Sequence, residues 1–140
     1  METLKISELA VGDWVQDMGG NYRKVEGIWQ GCNFSYQVDC NRDGAIGTIT
    51  PCTLHPIPIT AEILEKNGFA KGQRGDFYHY LRLDKNRTLY IHASTNGWRV
   101  EVTYDAAGIL RTTHLMPDIN SVHQLQHALR LAGIDKEINL

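Results

Sequence analysis

The sequence predicts an α+β protein of two small modules, an SH3-like β-barrel followed by an α-β-β-β-β-α two-layer antiparallel sheet domain. Three observations lead there. The first fifty residues alternate apolar and polar positions between glycine turns without a helical period, prolines 51, 56 and 58 interrupt the chain, and the remainder alternates again before closing on one amphipathic helix. The boundary falls at the prolines, giving 1–55 as the β module and 56–140 as the sheet domain with its C-terminal helix.

Composition agrees with two compact modules. The chain has 140 residues, 42% of them hydrophobic and 21% charged, which excludes disorder and fibrous repeats. Lys5, Glu8, Asp13 and Asp17 interleave the early apolar residues, so neither a membrane span nor a secretory leader is expected there, and the expected location is cytoplasmic. A net charge of −2 disfavours a protein that grips nucleic-acid phosphates. Cys32, Cys40 and Cys52 form no C-x-x-C pair and are expected as reduced thiols.

In the first module, Val11-Gly12-Asp13-Trp14-Val15 resembles the opening strand of SH3-like barrels, with Trp14 or Val15 entering the core. Turns are expected at 18–21 and 41–44, flanking strands over Tyr22–Ile28 and Phe34–Cys40. In the second strand Phe34, Tyr36, Val38 and Cys40 form the buried face. The proline connection from Thr50 to Ile59 is expected to be extended throughout.

Thr60 then caps a short helix over 61–67, which Gly68 stops so that Phe69 folds back on Leu64. Residues 71–76 read as a loop. From Phe77 to Leu115 four strands form a meander with turns at 84–87, 94–97 and 105–108. Leu81, Leu83, Leu89, Ile91, Val100 and Val102 make its core face. Pairing Leu81 with Ile91 and Ile91 with Val100 would set Tyr80 beside His92 and His92 beside Arg99. Pro117 ends the meander, and Ser121 with Gln124 forms a capping box for a helix to about Ala132, stopped by Gly133 and Ile134.

Most of the chain resembles a family of small uncharacterised proteins from prophages and conjugative elements of gut anaerobic bacteria. The resemblance is carried by Lys5–Leu9 leading into Val11–Val15, by His55–Thr60 leading into Glu62–Phe69, and by Leu81–Asp84 and Ser121–Ile134. The chain departs from that pattern over Gly31–Ile49. The resemblance implies a mobile-element accessory protein and supplies no catalytic residue.

His123 and His127 have the i, i+4 spacing of a metal-binding helix, but Gln124 stands where a metalloprotease needs a glutamate base. They lie opposite the Val122/Leu125/Leu129 stripe and read as solvent-facing. Cys32, Cys40, Cys52 and His55 have poor spacing for a zinc set, and Cys40 shares an apolar face. No metal or cofactor is therefore expected. Neither a nucleophile elbow nor a phosphate loop is present.

The remaining constellation is the polar face of the meander: Tyr78, Tyr80, Arg82, Tyr90, His92 and Arg99. Such residues stabilise exposed sheets by cross-strand pairing, yet Tyr and Arg are also enriched where proteins dock and where bases stack. The primary expectation is a non-enzymatic module that binds a protein partner of phage or host, with homo-oligomers left open. The alternatives are a single-stranded nucleic-acid binder using the same face and a small hydrolase using His79, His92 or His114.

Overall fold

The computed structural model describes residues 3–31, 36–42, 45–73, 78–114 and 118–140. Cys32, Phe34, the 43–44 end of the expected turn, the second half of the 71–76 loop (74–76), Phe77, Leu115 and Pro117 lie outside the described residues. The structure is α+β, with two antiparallel sheets and two α-helices, and the chain divides into two compact units, Met1–Pro58 and Ile59–Leu140.

The N-terminal unit orders its strands as they occur: β1 (Trp14–Gln16), β2 (Tyr22–Gln30), β3 (Tyr36–Arg42) and β4 (Ala45–Ile49). Val15 points inward and is fully buried, as are Val25, Val38 and Cys40, and these pack with Leu4, Leu9 and Leu54. Trp14, facing Lys24 across the ladder, occupies the other side. A bulge at Glu26 shifts the β2–β3 register between Val25 and Gly27.

The β1–β2 turn is organised by Asp17. Its Oδ1 accepts the amides of Gly19 and Asn21, both at 2.9 Å, and its Oδ2 accepts the Arg23 Nε–H at 2.6 Å. Burial alone would raise this carboxyl. The Asn21 amide, the Arg23 guanidinium and the Asn21 side chain outweigh it and hold the group at about 2.

The expected barrel does not close. Among the described residues β4 pairs with β3 alone, and β1, on the edge away from β2, meets only an isolated bridge, Gln16 to His55, made by reciprocal amide hydrogen bonds of 2.9 and 2.8 Å. The connection is also not extended throughout. Pro51 opens a 3-10 turn over Pro51–Thr53, where its missing N–H costs nothing, and Pro56 and Pro58 keep the returning segment from running on as a full strand.

The C-terminal unit begins with α1 (Ala61–Lys66). The Thr60 hydroxyl accepts the Ile63 amide at 3.2 Å, and Gly68, at φ +85°, lets the Phe69 amide reach Leu64 O at 3.0 Å. A five-stranded sheet follows in sequential order: β5 (Ala70–Lys71), β6 (Tyr78–Arg82), β7 (Arg87–Ser94), β8 (Gly97–Ala106) and β9 (Ile109–His114). The extra strand, β5, ends on the first residue of the segment expected as a loop. It places Ala70 opposite Tyr80 and Lys71 opposite His79, using an otherwise bare edge of β6.

Ile91 pairs with Val100 and His92 with Arg99, as the alternation requires, but β6 sits two residues from its expected register. Leu81 faces Leu89, Tyr80 faces Tyr90 and Tyr78 faces His92. Asp84 accounts for the difference. Its carboxylate accepts the amides of Asn86 and Arg87 and the Arg87 Nε–H, closing a tighter turn than the expected register would need. The Arg87 side chain, first, and the Asn86 amide hold Asp84 below its ordinary value.

α2 (Val122–Leu131) follows, with Gln124 Oε1 accepting the amides of Asn120 at 2.9 Å and Ser121 at 3.3 Å as the capping-box pattern requires. The expected solvent-facing histidines are corrected here. His123 is buried, with Nδ1 3.0 Å from the Ser121 hydroxyl, and His127 is half-buried, because the buried arc of α2 extends beyond its aliphatic stripe to His123 and Gln126. After α2 the chain is clasped by Asn67, whose amide donates to Asn139 O at 2.9 Å and accepts the Asn139 N–H at 2.7 Å. No helix among the described residues is long and apolar enough to cross a membrane.

Gly97 opens β8 at φ +135°, and a Cβ there would run into Asn120 and the carbonyl of Ile119, the residue that bridges Trp98. Gly97→Ala is therefore expected to destabilise the C-terminal unit by about 2–4 kcal/mol, the sum of backbone strain and overpacking, read by denaturant unfolding. A second prediction concerns acid. Because Asp17 is depressed in the folded state, its contribution is complete above the ordinary carboxylate value and is lost as pH falls toward about 2. In Asp17→Asn the part of the stability loss falling between about pH 4 and pH 2 should disappear, which acid titration followed by circular dichroism measures.

Candidate interaction surface

Strand alternation brings all six expected site residues to one face of the C-terminal sheet. β6 supplies Tyr78, Tyr80 and Arg82, β7 supplies Tyr90 and His92, and β8 supplies Arg99 together with Glu101. Four rings meet across two strands. The centroid of Tyr78 lies 6.3 Å from Tyr80, 5.9 Å from Tyr90 and 5.8 Å from His92; Tyr80 and Tyr90 are 6.3 Å apart, and Tyr90 stacks on His92 at 5.9 Å with planes 22° apart. These separations are within the range of favourable aromatic contacts. All four rings are half-buried.

The charges on this face already have partners. His92 Nε2 lies 3.4 Å from Glu101 Oε2, and Arg99 Nε lies 3.7 Å from Asp118. Arg82 donates to the carbonyls of Asp84 and Lys85 at 3.3 Å each, which turns it toward its own hairpin and away from the rings. The six residues thus form an aromatic centre with paired charges at its margin.

Sequence reasoning missed Gly72 in this arrangement. Its amide donates to Tyr78 O at 3.0 Å, and a Cβ at this position would collide with the Tyr78 ring, so the ring lies directly over the glycine. An aromatic ring covering a glycine across an edge strand compensates for the missing side chain. The signal was present in the sequence as a glycine six residues before a tyrosine, but only the β5–β6 pairing gives it meaning.

His79 lies on the opposite face from His92, opposite Ile91 and almost fully buried, with Nε2 3.3 Å from Glu65 Oε1 and its ring edge-on to Trp98. His79 and His92 therefore do not converge on one substrate. His114 pairs with Glu101 through the backbone, and its side chain lies outside the described residues, as does that of Cys52. Cys40 is fully buried; burial, with smaller contributions from Asp39, Asp17 and Glu26, pushes its thiol up to about 11. No group of metal-ligating side chains occurs among the described residues.

No family model, curated protein or solved structure matches this chain.

Gly72→Ala should expel the Tyr78 ring from the aromatic group without unfolding the sheet. The expected result is a loss of ring-current shifts at Tyr90 and His92 with a fall in stability of about 1–2 kcal/mol. Unchanged His92 ring resonances would show that Gly72 does not position Tyr78.

Proposed function

We propose that this chain is a non-enzymatic interaction module of a mobile genetic element, binding a protein partner through Tyr78, Tyr80, Arg82, Tyr90, His92 and Arg99. The observation that carries this reading is the aromatic group of Tyr78, Tyr80, Tyr90 and His92 bordered by already-paired charges. A half-buried ring surface gains by excluding water against another protein, and large rigid aromatics lose little conformational freedom in doing so.

A single-stranded nucleic-acid ligand would also use stacking rings, but it needs cations free to meet phosphates. Here Arg99 faces Asp118, His92 faces Glu101 and Arg82 is turned to its hairpin carbonyls, which favours the protein reading. The placement of His79 and His92 on opposite faces favours a binding role over hydrolysis. For the N-terminal unit, the strand order β1-β2-β3-β4, the 3-10 turn at Pro51–Thr53 and the return to β1 at His55 support an SH3-like reading, with the seam left open. Fold likeness of this kind carries no function by itself.

The test is the double variant Tyr80→Ala, Arg99→Ala, compared with Leu131→Ala at the exposed end of α2. Loss of one half-buried ring should lower the melting temperature by several degrees, about 1–2 kcal/mol, while removing a partner that wild type and Leu131→Ala both recover from the native cell. Recovery by all three proteins would refute the assignment of this face. Oligonucleotide binding at low salt that fades as salt rises would favour the second reading.

A further inference from the structure

The outer face of the N-terminal sheet holds a second constellation, independent of the tyrosine face. Trp29 pairs with Gln37, and Asp39 pairs with Gly27 on one side and Thr48 on the other. Alternation places these side chains opposite buried Val38 and Cys40. Asp39 Oδ1 accepts the Trp29 indole N–H at 3.2 Å and the Thr48 hydroxyl at 2.8 Å. These two donors fix the carboxylate and stop the indole from rotating, although Trp29 is 45% exposed.

Both hydrogen bonds fall on Oδ1. The other oxygen, Oδ2, faces Gly27: a Cβ built on that glycine would meet Oδ2 at 3.6 Å and Asp39 Cβ at 3.8 Å. Gly27 directly follows the bulge at Glu26, a place where strands commonly carry glycine. Its φ lies outside the left-handed region, and a Cβ would make only ordinary contacts. With no side chain at 27, no Cβ stands against the Oδ2 side of Asp39.

The charge around this side of Asp39 is negative. The unit spanning 1–58 has four Lys and Arg against seven Asp and Glu. Glu26 sits in the bulge next to Gly27, while Arg23 is committed to Asp17 at 2.6 Å. Among the described residues Lys24 is a basic neighbour on this face, set beyond the bulge opposite Asn41. A fixed carboxylate beside the face of a tryptophan complements a planar cation, which can pair with the oxygen and stack on the ring at once.

The geometry points to a binding site for an arginine side chain of a protein partner, its guanidinium seated over Gly27, paired with Asp39 Oδ2 and stacked on Trp29. This site does not depend on the tyrosine face and can stand or fall without it.

The probe is N-acetyl-arginine amide, titrated into the full-length protein while the indole N–H resonances are followed by nitrogen-15 NMR. The Trp29 signal, assigned by its disappearance in Trp29→Phe, should shift saturably with millimolar affinity, while those of Trp14 and Trp98 stay in place. Gly27→Val sets a side chain against Oδ2, in a residue that favours strands, and Asp39→Asn removes the charge; each should weaken binding at least fivefold with the sheet resonances preserved. N-acetyl-citrulline amide, neutral and of the same shape, should not bind. Equal shifts with citrulline, undiminished binding in Gly27→Val, or no shift of Trp29 in the wild type would each overturn the proposal. The Tyr80→Ala, Arg99→Ala protein should titrate like wild type, so failure of one surface is distinguishable from failure of the other.

Discussion

Burial of Leu89, Ile91 and Val100 on one face of β7 and β8 is the constraint on which the C-terminal unit depends. Each such side chain contributes about 1.5–3 kcal/mol when removed from water, against about 0.2–1 kcal/mol for a cross-strand pair on the wet face. The apolar rungs therefore decide which way the ladder faces. With side chains alternating, they oblige Tyr78, Tyr80, Tyr90, His92, Arg99 and Glu101 onto the other side. The aromatic group is thus a consequence of the core, assembled without any contribution of its own to the choice of face.

Facing is decided by burial, but position along the strand is not. Sliding β6 by two residues keeps every side chain on its face, so the apolar energy barely distinguishes the two registers. The Asp84 turn makes the choice, through three hydrogen bonds from Asn86 and Arg87 that a longer loop would forfeit. The outcome matters for the surface. In the observed register Tyr80 meets Tyr90 and Tyr78 meets His92, which packs four rings together; the alternative would have spread them toward the sheet edge.

This division between facing and sliding explains what the sequence made legible. Period-2 alternation identified the α+β class, the meander and the membership of its two faces, and local cap chemistry located both helices, because each of these depends on near neighbours in the chain. The β6 register turned on the hydrogen bonds of the Asp84 turn, which period-2 alternation does not read, and strand β5 depended on pairing that no local pattern announces. The same is true of Asn67, a helix-terminal residue on sequence grounds, which holds Asn139 seventy-two positions away. His79 was the least legible. A histidine within a strand reads as polar, yet it occupies the core face opposite Ile91, where Glu65 and Trp98 surround it.

The glycines of this chain answer to different local constraints. Gly97 is required by its own backbone angle and by the closeness of Asn120, and Gly72 by the Tyr78 ring above it. Each has a structural reason, and replacing either disturbs something already in the chain. Gly27 adjoins the bulge at Glu26; its φ lies outside the left-handed region, and a Cβ there would make ordinary contacts with Asp39. The neighbouring polar network is one-sided: Trp29 and Thr48 both donate to Oδ1 of Asp39, and Oδ2 faces Gly27. The proposed arginine site joins these two features: a carboxylate held through one oxygen by its own sheet, and beside its other oxygen a bulge glycine that adds no side chain of its own.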